Sequence, residues 1–264
     1  MFTAEYRNQV RHRVLELARA DPRVTAGALT GSMAFGGGDS WSDIDVAFGI
    51  ADGIPPEAVL NDWTQALEQE LGIVDHFDLP SGSSVYRVFL LSSGLEVDVA
   101  VTPAEEFGAR GPHFRTLFGT IQKLQDTPQP NAFYLIGLGW HHVLHARSCI
   151  ERNKPWQAEY WISGIRDHAL ALACLRCGEN ATYGRGVDRL PVAVTNSLAA
   201  ALVRSLDEPE LRRALAVATR HLIGELEEWD PTLCARLKPL LQEFGAPQVE
   251  VSQPGSPNVQ GEER

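Results

Sequence analysis

Residues 31–48 have the sequence GSMAFGGGDSWSDIDVAF. The preceding run VTAGALT (24–30) is short and apolar, which is typical of a buried strand. The run DIDVAFGI (43–50) alternates acidic and apolar residues, as expected for a strand with one polar face. Three consecutive glycines at 36–38 lie between the two runs. We therefore predict two strands joined by a glycine-rich loop.

The surrounding segments predict the rest of the fold. Helical periodicity indicates amphipathic helices over residues 4–20 and 57–71. The runs SVYRVFLL (84–91) and LEVDVAV (95–101) are separated by Ser-Ser-Gly, which predicts a β-hairpin. From residue 133 onward the pattern is helical, with helices predicted over 133–151, 156–177, 192–206, 208–229 and 232–244. The predicted fold class is α+β, with an N-terminal mixed sheet flanked by helices and a C-terminal helical bundle.

This change of pattern sets the predicted domains. We assign residues 1–105 to an N-terminal catalytic domain and 106–245 to a C-terminal helical, substrate-binding domain. Residues 246–264 are polar with Pro and Gly, and are predicted to be a disordered tail. The chain has no apolar run long enough for a membrane span, and its N-terminus is amphipathic rather than a signal peptide. We therefore expect a cytoplasmic protein without membrane association.

The charge distribution limits the partners. The chain has 264 residues and a net charge of −11, and residues 1–100 hold 15 acidic and 6 basic side chains. No basic stripe is present, which argues against nucleic acid as the main partner. A small cationic or neutral substrate suits the acidic half better.

Three aspartates carry the predicted chemistry. Asp43 and Asp45 are two residues apart on a predicted strand, so both carboxylates project from the same face. Adjacent carboxylates repel each other unless a cation lies between them, and Mg²⁺ bound to nucleotide phosphates would satisfy them. Asp98 lies on a later strand with the same alternation, and completes the cluster if the two strands are neighbours. Such a cluster fits two-metal phosphoryl or nucleotidyl transfer.

The dipeptide Gly31-Ser32 ends the strand that precedes these aspartates. Glycine permits close approach of the backbone, and backbone N–H groups with the Ser32 hydroxyl can hold phosphate oxygens. Phosphate binding at this turn would bring a nucleotide next to the predicted metal site.

The run 31–48, followed by Asp98, resembles the signature of the DNA polymerase beta-type nucleotidyltransferase superfamily. That signature is Gly-Ser, a short gap, Asp-x-Asp on a strand and a third Asp on a later strand. The wider run 18–50 is most similar to small antibiotic nucleotidyltransferases, which act on lincosamides or aminoglycosides. The resemblance covers residues 1–103 well and the helical half loosely, through RNKPWQAEYWISGIRDHALALA (152–173).

The resemblance implies an Mg²⁺-dependent transferase with ATP, or another NTP, as co-substrate. In this family Gly-Ser contacts the triphosphate and the three acids bind Mg²⁺, so the roles fall to Gly31, Ser32, Asp43, Asp45 and Asp98. The acceptor differs widely among relatives and is not implied. Relatives with this layout can dimerise, so a homodimer is retained as one oligomeric state.

Further candidates lie in the helical half. Some relatives use a helical-domain carboxylate near the acceptor hydroxyl as general base, and Glu159 is the candidate here, with Asp98 and Asp167 as rivals. The chain has only three lysines, so the candidates for a contact with the outer phosphates are Lys154 and Arg152.

Three functions remain open from the sequence. The preferred one is transfer of a nucleoside monophosphate, AMP first, to a hydroxyl of a small molecule such as a lincosamide or an aminoglycoside, which would confer antibiotic resistance. The alternative is modification of a macromolecule, either a protein, as in AMPylating toxin–antitoxin modules, or RNA. The third is a degenerate module that binds nucleotides without catalysis.

Overall fold

The computed structural model describes residues 2–36 and 38–245, so the predicted tail 246–264 lies outside the described residues. The chain divides into two compact units, Met1–Thr127 and Pro128–Arg264. The fold class is α+β, as predicted, with a mixed sheet in the first unit and helices in the second.

A six-stranded mixed sheet forms the centre of the first unit. Its order is β3-β4-β5-β2-β1-β7, in which β2 and β5 are parallel and every other neighbouring pair is antiparallel. The strands are β1 (Val24–Thr30), β2 (Ile44–Ile50), β3 (Ile73–Ser81), β4 (Ser84–Leu91), β5 (Glu96–Pro103) and β7 (Phe114–Gly119). Two short strands, β6 (Gly108–Ala109) and β8 (Gln122–Lys123), form a separate parallel pair. The predicted hairpin of β4 and β5 is confirmed.

Strand β7 adds to the sheet beyond the predicted domain boundary. It pairs with β1 at the edge of the sheet, and the boundary between the two compact units lies after Thr127. Local sequence does not reveal this strand, because its burial pattern lacks a regular alternation and its partner lies far away in the chain. Hydrogen bonding to β1 therefore decides where residues 114–119 belong.

Two helices, α1 (Ala4–Ala20) and α2 (Pro56–Leu71), cover one face of the sheet, here called the helix face. Phe48 of β2 packs edge-on against Trp63 of α2, with ring centroids 5.2 Å apart. Burial of side chains of this size stabilises the fold by about 1.5–3 kcal/mol each. Because strand side chains alternate, the residues between these core positions point to the opposite face, here called the outer face.

Arg87 links β4 to β3 and α2 on the helix face. Its Nε and Nη2 atoms each donate to an oxygen of Asp78 across the β3–β4 pair at 2.7 Å, while Nη1 donates to Asn61 and Thr64 of α2. Arg87 is 4% exposed, and its guanidinium holds the pKa of the Asp78 carboxyl below its usual range. The outer face consequently carries no charge from this arginine.

The second unit consists of helices around one large cluster of buried side chains and a smaller one. The helices are α3 (Ala132–Glu151), α4 (Pro155–Arg176), α5 (Val192–Ala199), α6 (Glu208–Trp229) and α7 (Pro231–Gly245). Val194 of α5 packs against the smaller cluster. Helix α5 is shorter than the predicted 192–206. It ends where Arg213 of α6 donates to the backbone carbonyls of Ala200 and Leu202, which replaces the hydrogen bonds of a continuing helix. None of the helices in the described part of the chain is long and apolar enough to cross a membrane.

Candidate active site

The Gly31-Ser32 turn follows β1 directly. Gly31 starts a 3-10 helix, Gly31–Phe35, with φ of +64°, in the left-handed region that favours glycine. A Cβ atom at this position would lie 1.9 Å from Oδ2 of Asp45. Only glycine therefore allows the turn and the Asp45 carboxylate to lie against each other, and the two halves of the sequence motif meet in space.

The carboxylates gather where β2 and β5 begin. Asp45 lies opposite Asp98 in the parallel pair, and Asp43 immediately precedes β2. Oxygen atoms of Asp43, Glu96 and Asp98 lie within 4.8 Å of one another. Glu96 is not among the predicted site residues, although its sequence position gives a signal: it lies two residues before Asp98, on the same face of the strand.

The environment of Asp98 disfavours its charged form. Burial, followed by the charges of Glu96 and Asp43, raises the pKa of Asp98 to about 6. Its Oδ1 atom is buried and accepts no hydrogen bond from the residues that the structure describes. Clustered carboxylate oxygens, one of them buried without a donor, fit the preference of Mg²⁺ for oxygen ligands. The residues present therefore fit the metal that the family resemblance implies.

The loop before Asp43 is held by a buried arginine. Arg7 of α1 is 4% exposed and donates through Nη1 to the backbone carbonyls of Asp39 and Ser42. The Ser42 hydroxyl accepts from the Asp39 backbone N–H at 2.9 Å and lies 3.3 Å from the Ser32 hydroxyl. Helix α1 thus fixes the loop, and the loop fixes the serine of the turn. The sequence gives no local signal for Arg7, because its contacts are more than 30 residues away.

The remaining predicted residues lie in the second unit. Lys154 precedes α4 and is exposed, and Glu159 of the same helix accepts a hydrogen bond from Ser163 at 2.7 Å. Asp167, the rival base, is exposed and forms an ion pair with Arg166 at 2.8 Å. The roles assigned to Lys154 and Glu159 stay predictions.

Comparison with known proteins adds little to this picture. No family model matches the chain, and no curated protein matches it in sequence. Among solved structures, the chain is similar to an aminoglycoside 6-adenyltransferase from Bacillus subtilis, with 12% identity, 88% of this chain and 95% of that chain covered, and a TM-score of 0.39. A likeness this low carries no functional argument. The case for function therefore rests on the side chains at the ends of β1, β2 and β5.

Proposed function

We propose that the protein is an Mg²⁺-dependent nucleotidyltransferase that moves a nucleoside monophosphate, AMP first, from an NTP to a hydroxyl of a small molecule. The observation that carries this proposal is the meeting of Asp45 with the Gly31 turn on one side and with Asp98 on the other. A phosphate-binding turn and clustered carboxylates are the two parts that nucleotidyl transfer requires.

In this proposal the turn holds the triphosphate. The exposed Ser32 hydroxyl and the backbone N–H groups of the turn donate to phosphate oxygens. Asp43 and Asp98, whose oxygen atoms lie within 4.8 Å of each other and of Glu96, would hold Mg²⁺ together with Asp45, the register partner of Asp98. When bound, the metal supplies positive charge against the phosphate oxygens and lowers the repulsion that opposes attack at phosphorus.

The transfer balances without an oxidant or reductant. The acceptor oxygen forms a bond to the α-phosphorus, the bond between that phosphorus and the bridging oxygen breaks, and pyrophosphate leaves with the electron pair. The hydroxyl proton passes to a carboxylate, for which Glu159 is the candidate, with Asp98 and Asp167 as rivals. A Glu159→Gln variant that loses the acidic limb of the pH–rate profile would assign the base to Glu159.

The test is pyrophosphate release from ATP with Mg²⁺ and a panel of lincosamides, aminoglycosides and simpler amino alcohols. Asp45→Asn should abolish release, whereas Asp52→Asn, an exposed aspartate beyond the other end of β2, should leave it unchanged. Absence of both pyrophosphate release and Mg·ATP binding by calorimetry would refute the proposal. Transfer of label from ATP to a protein or RNA band in a lysate, with no small acceptor modified, would move the activity to a macromolecule.

A further inference from the structure

An apolar surface lies on the outer face of the sheet, at the edge formed by β3 and β4. Four large side chains form it and are exposed to similar extents: Phe77 55%, Leu79 50%, Tyr86 40% and Leu90 46%. These four residues are called the β3–β4 patch below. Their neighbours along the strands point to the helix face, where Val85, Phe89 and Leu91 are buried.

Strand register places the patch beside the carboxylates. Leu90 lies opposite Glu96, and Val88, which lies between Tyr86 and Leu90 on the same face, is opposite Asp98. Neighbouring strands are about 4.8 Å apart, so the nearest patch residues lie about one strand spacing from the acidic cluster. The patch and the cluster therefore form one continuous surface within the first unit.

The contiguity of these four exposed side chains indicates a binding surface. Single exposed apolar residues are ordinary, but a contiguous apolar patch with a polar rim marks a binding surface. Leu79 lies opposite Tyr86, and Phe77 lies opposite the buried Val88, which makes Phe77 the diagonal neighbour of both Tyr86 and Leu90, so the four residues are contiguous. The rim is polar where the patch meets Asp75 and Glu96.

The order of strands indicates which substrate the patch receives. Gly31 and Ser32 follow β1, on one side of β2, whereas β4 and β3 lie on the other side, beyond β5. In nucleotidyl transfer the attacking and leaving oxygens are in line, on opposite sides of the phosphorus. With the leaving pyrophosphate at the Gly31 turn, the acceptor approaches from the side of the patch.

Charge narrows the class of acceptor further. Asp75 and Glu96 flank Leu90 on the outer face and both are exposed. Arg87, the basic residue of β4, points to the helix face and is paired with Asp78. The described outer-face positions of β3 and β4 thus carry acidic charge and no basic charge, and a protonated amine on the acceptor is complementary to them.

We propose that the β3–β4 patch binds the acceptor, and that the acceptor is a small amino alcohol with an apolar body, its amine near Asp75 and Glu96 and its hydroxyl toward Asp98. This inference rests on the proposed function for the hydroxyl, while the binding surface stands on the exposed side chains alone. A polyhydroxylated polycation without an apolar body leaves the four side chains without a partner. The patch residues are specificity-determining residues in this proposal.

Binding is tested on the full chain with three probes that share one apolar body: 4-phenylbutylamine, 4-phenylbutan-1-ol and 4-phenylbutyrate. Ligand-observed NMR titration should rank them amine, alcohol, carboxylate in falling affinity. The double substitution Phe77→Ser with Leu79→Ser should weaken amine binding about tenfold, which corresponds to about 1.4 kcal/mol. Leu202→Ser is the matched control, since Leu202 is 49% exposed in the second unit.

The outcomes separate the patch from the proposed function. Loss of amine binding with Mg·ATP binding and thermal unfolding unchanged supports the patch. Unchanged amine binding in the double variant, or a carboxylate probe that binds as tightly as the amine, overturns it. Weaker Mg·ATP binding by the double variant would assign the patch to the nucleotide base. A mass in solution half that of the unchanged protein would assign the patch to contact with a second copy of the chain. Either result overturns the proposal. Absence of both pyrophosphate release and Mg·ATP binding in the unchanged protein refutes the proposed function but leaves the patch proposal standing.

Discussion

Replacement of Asp98 by Asn should stabilise the metal-free protein at alkaline pH. The folded state holds the pKa of Asp98 at about 6, against an ordinary value of 3.8, because burial and the charges of Glu96 and Asp43 disfavour ionisation. A folded-state pKa above the unfolded value means that the folded protein binds the proton more tightly. The stabilisation that this proton contributes is therefore fully present below the unfolded-state pKa, and it is lost as pH rises through the folded-state pKa.

The size of the effect follows from the shift. One pKa unit corresponds to about 1.36 kcal/mol, so two units set an upper value of about 3 kcal/mol. Asp98 is partly exposed, and solvent screening reduces the expected gain to about 1–2 kcal/mol. For a protein of this size that gain corresponds to a rise of about 3–6 °C in the melting temperature. Below about pH 4 the gain should vanish, because Asp98 is then protonated in both states.

The assay is thermal unfolding with EDTA at several pH values from below 4 to 8, followed by the same series with Mg²⁺. Asp98→Asn should melt above the unchanged protein at pH 8 with EDTA, and Mg²⁺ should stabilise the unchanged protein more than the variant. Asp52→Asn, exposed beyond the other end of β2, is the control and should not shift the melting temperature. An Asp98→Asn variant that is no more stable than the unchanged protein at pH 8 in EDTA would contradict the argument from burial and repulsion.

Three more substitutions test the site and the fold. Gly31→Ala should lower pyrophosphate release at least about tenfold, because its Cβ atom would displace the Asp45 side chain. The control is Gly36→Ala, which also lies at positive φ but has nothing within 4 Å, so it should lower only the unfolding free energy, by about 1 kcal/mol. Equal pyrophosphate release by the two variants would contradict the contact between Gly31 and Asp45. Arg7→Met should raise the KM for ATP several-fold in steady-state kinetics, because the donors to the Asp39 and Ser42 carbonyls are lost, and Arg7→Lys should restore it in part. An unchanged KM would show that Arg7 does not position the loop. Arg87→Met should lower the unfolding free energy, measured in urea at pH 7, by about 3 kcal/mol. The loss should become smaller as pH falls through the pKa of Asp78, which Arg87 holds low. A loss that does not depend on pH would show that the ion pair does not cause it.

Local pattern predicted most of the regular structure. Helix α1 spans the predicted 4–20, α3 and α6 lie within one residue of prediction, and the β4–β5 hairpin forms as expected. These elements are encoded by the spacing of apolar residues within a few turns or strand lengths, which a sequence displays directly. The turn predicted at Gly31 also forms, and its positive φ and close contact with Asp45 agree with the close backbone approach expected there.

Contacts between distant segments needed the folded chain. The sequence alone predicted Asp45 and Asp98 on strands and Asp43 at the start of the first of these, where the structure has Asp43 immediately before β2, and the family resemblance suggested a common site. Only the tertiary structure decided that Asp45 faces Asp98, that Glu96 joins the cluster, and that Arg7 holds the loop. The strand β7 and the exposed β3–β4 patch belong to the same group. Strand order and register set these neighbours, and both depend on hydrogen bonds between segments tens of residues apart, which no local periodicity records.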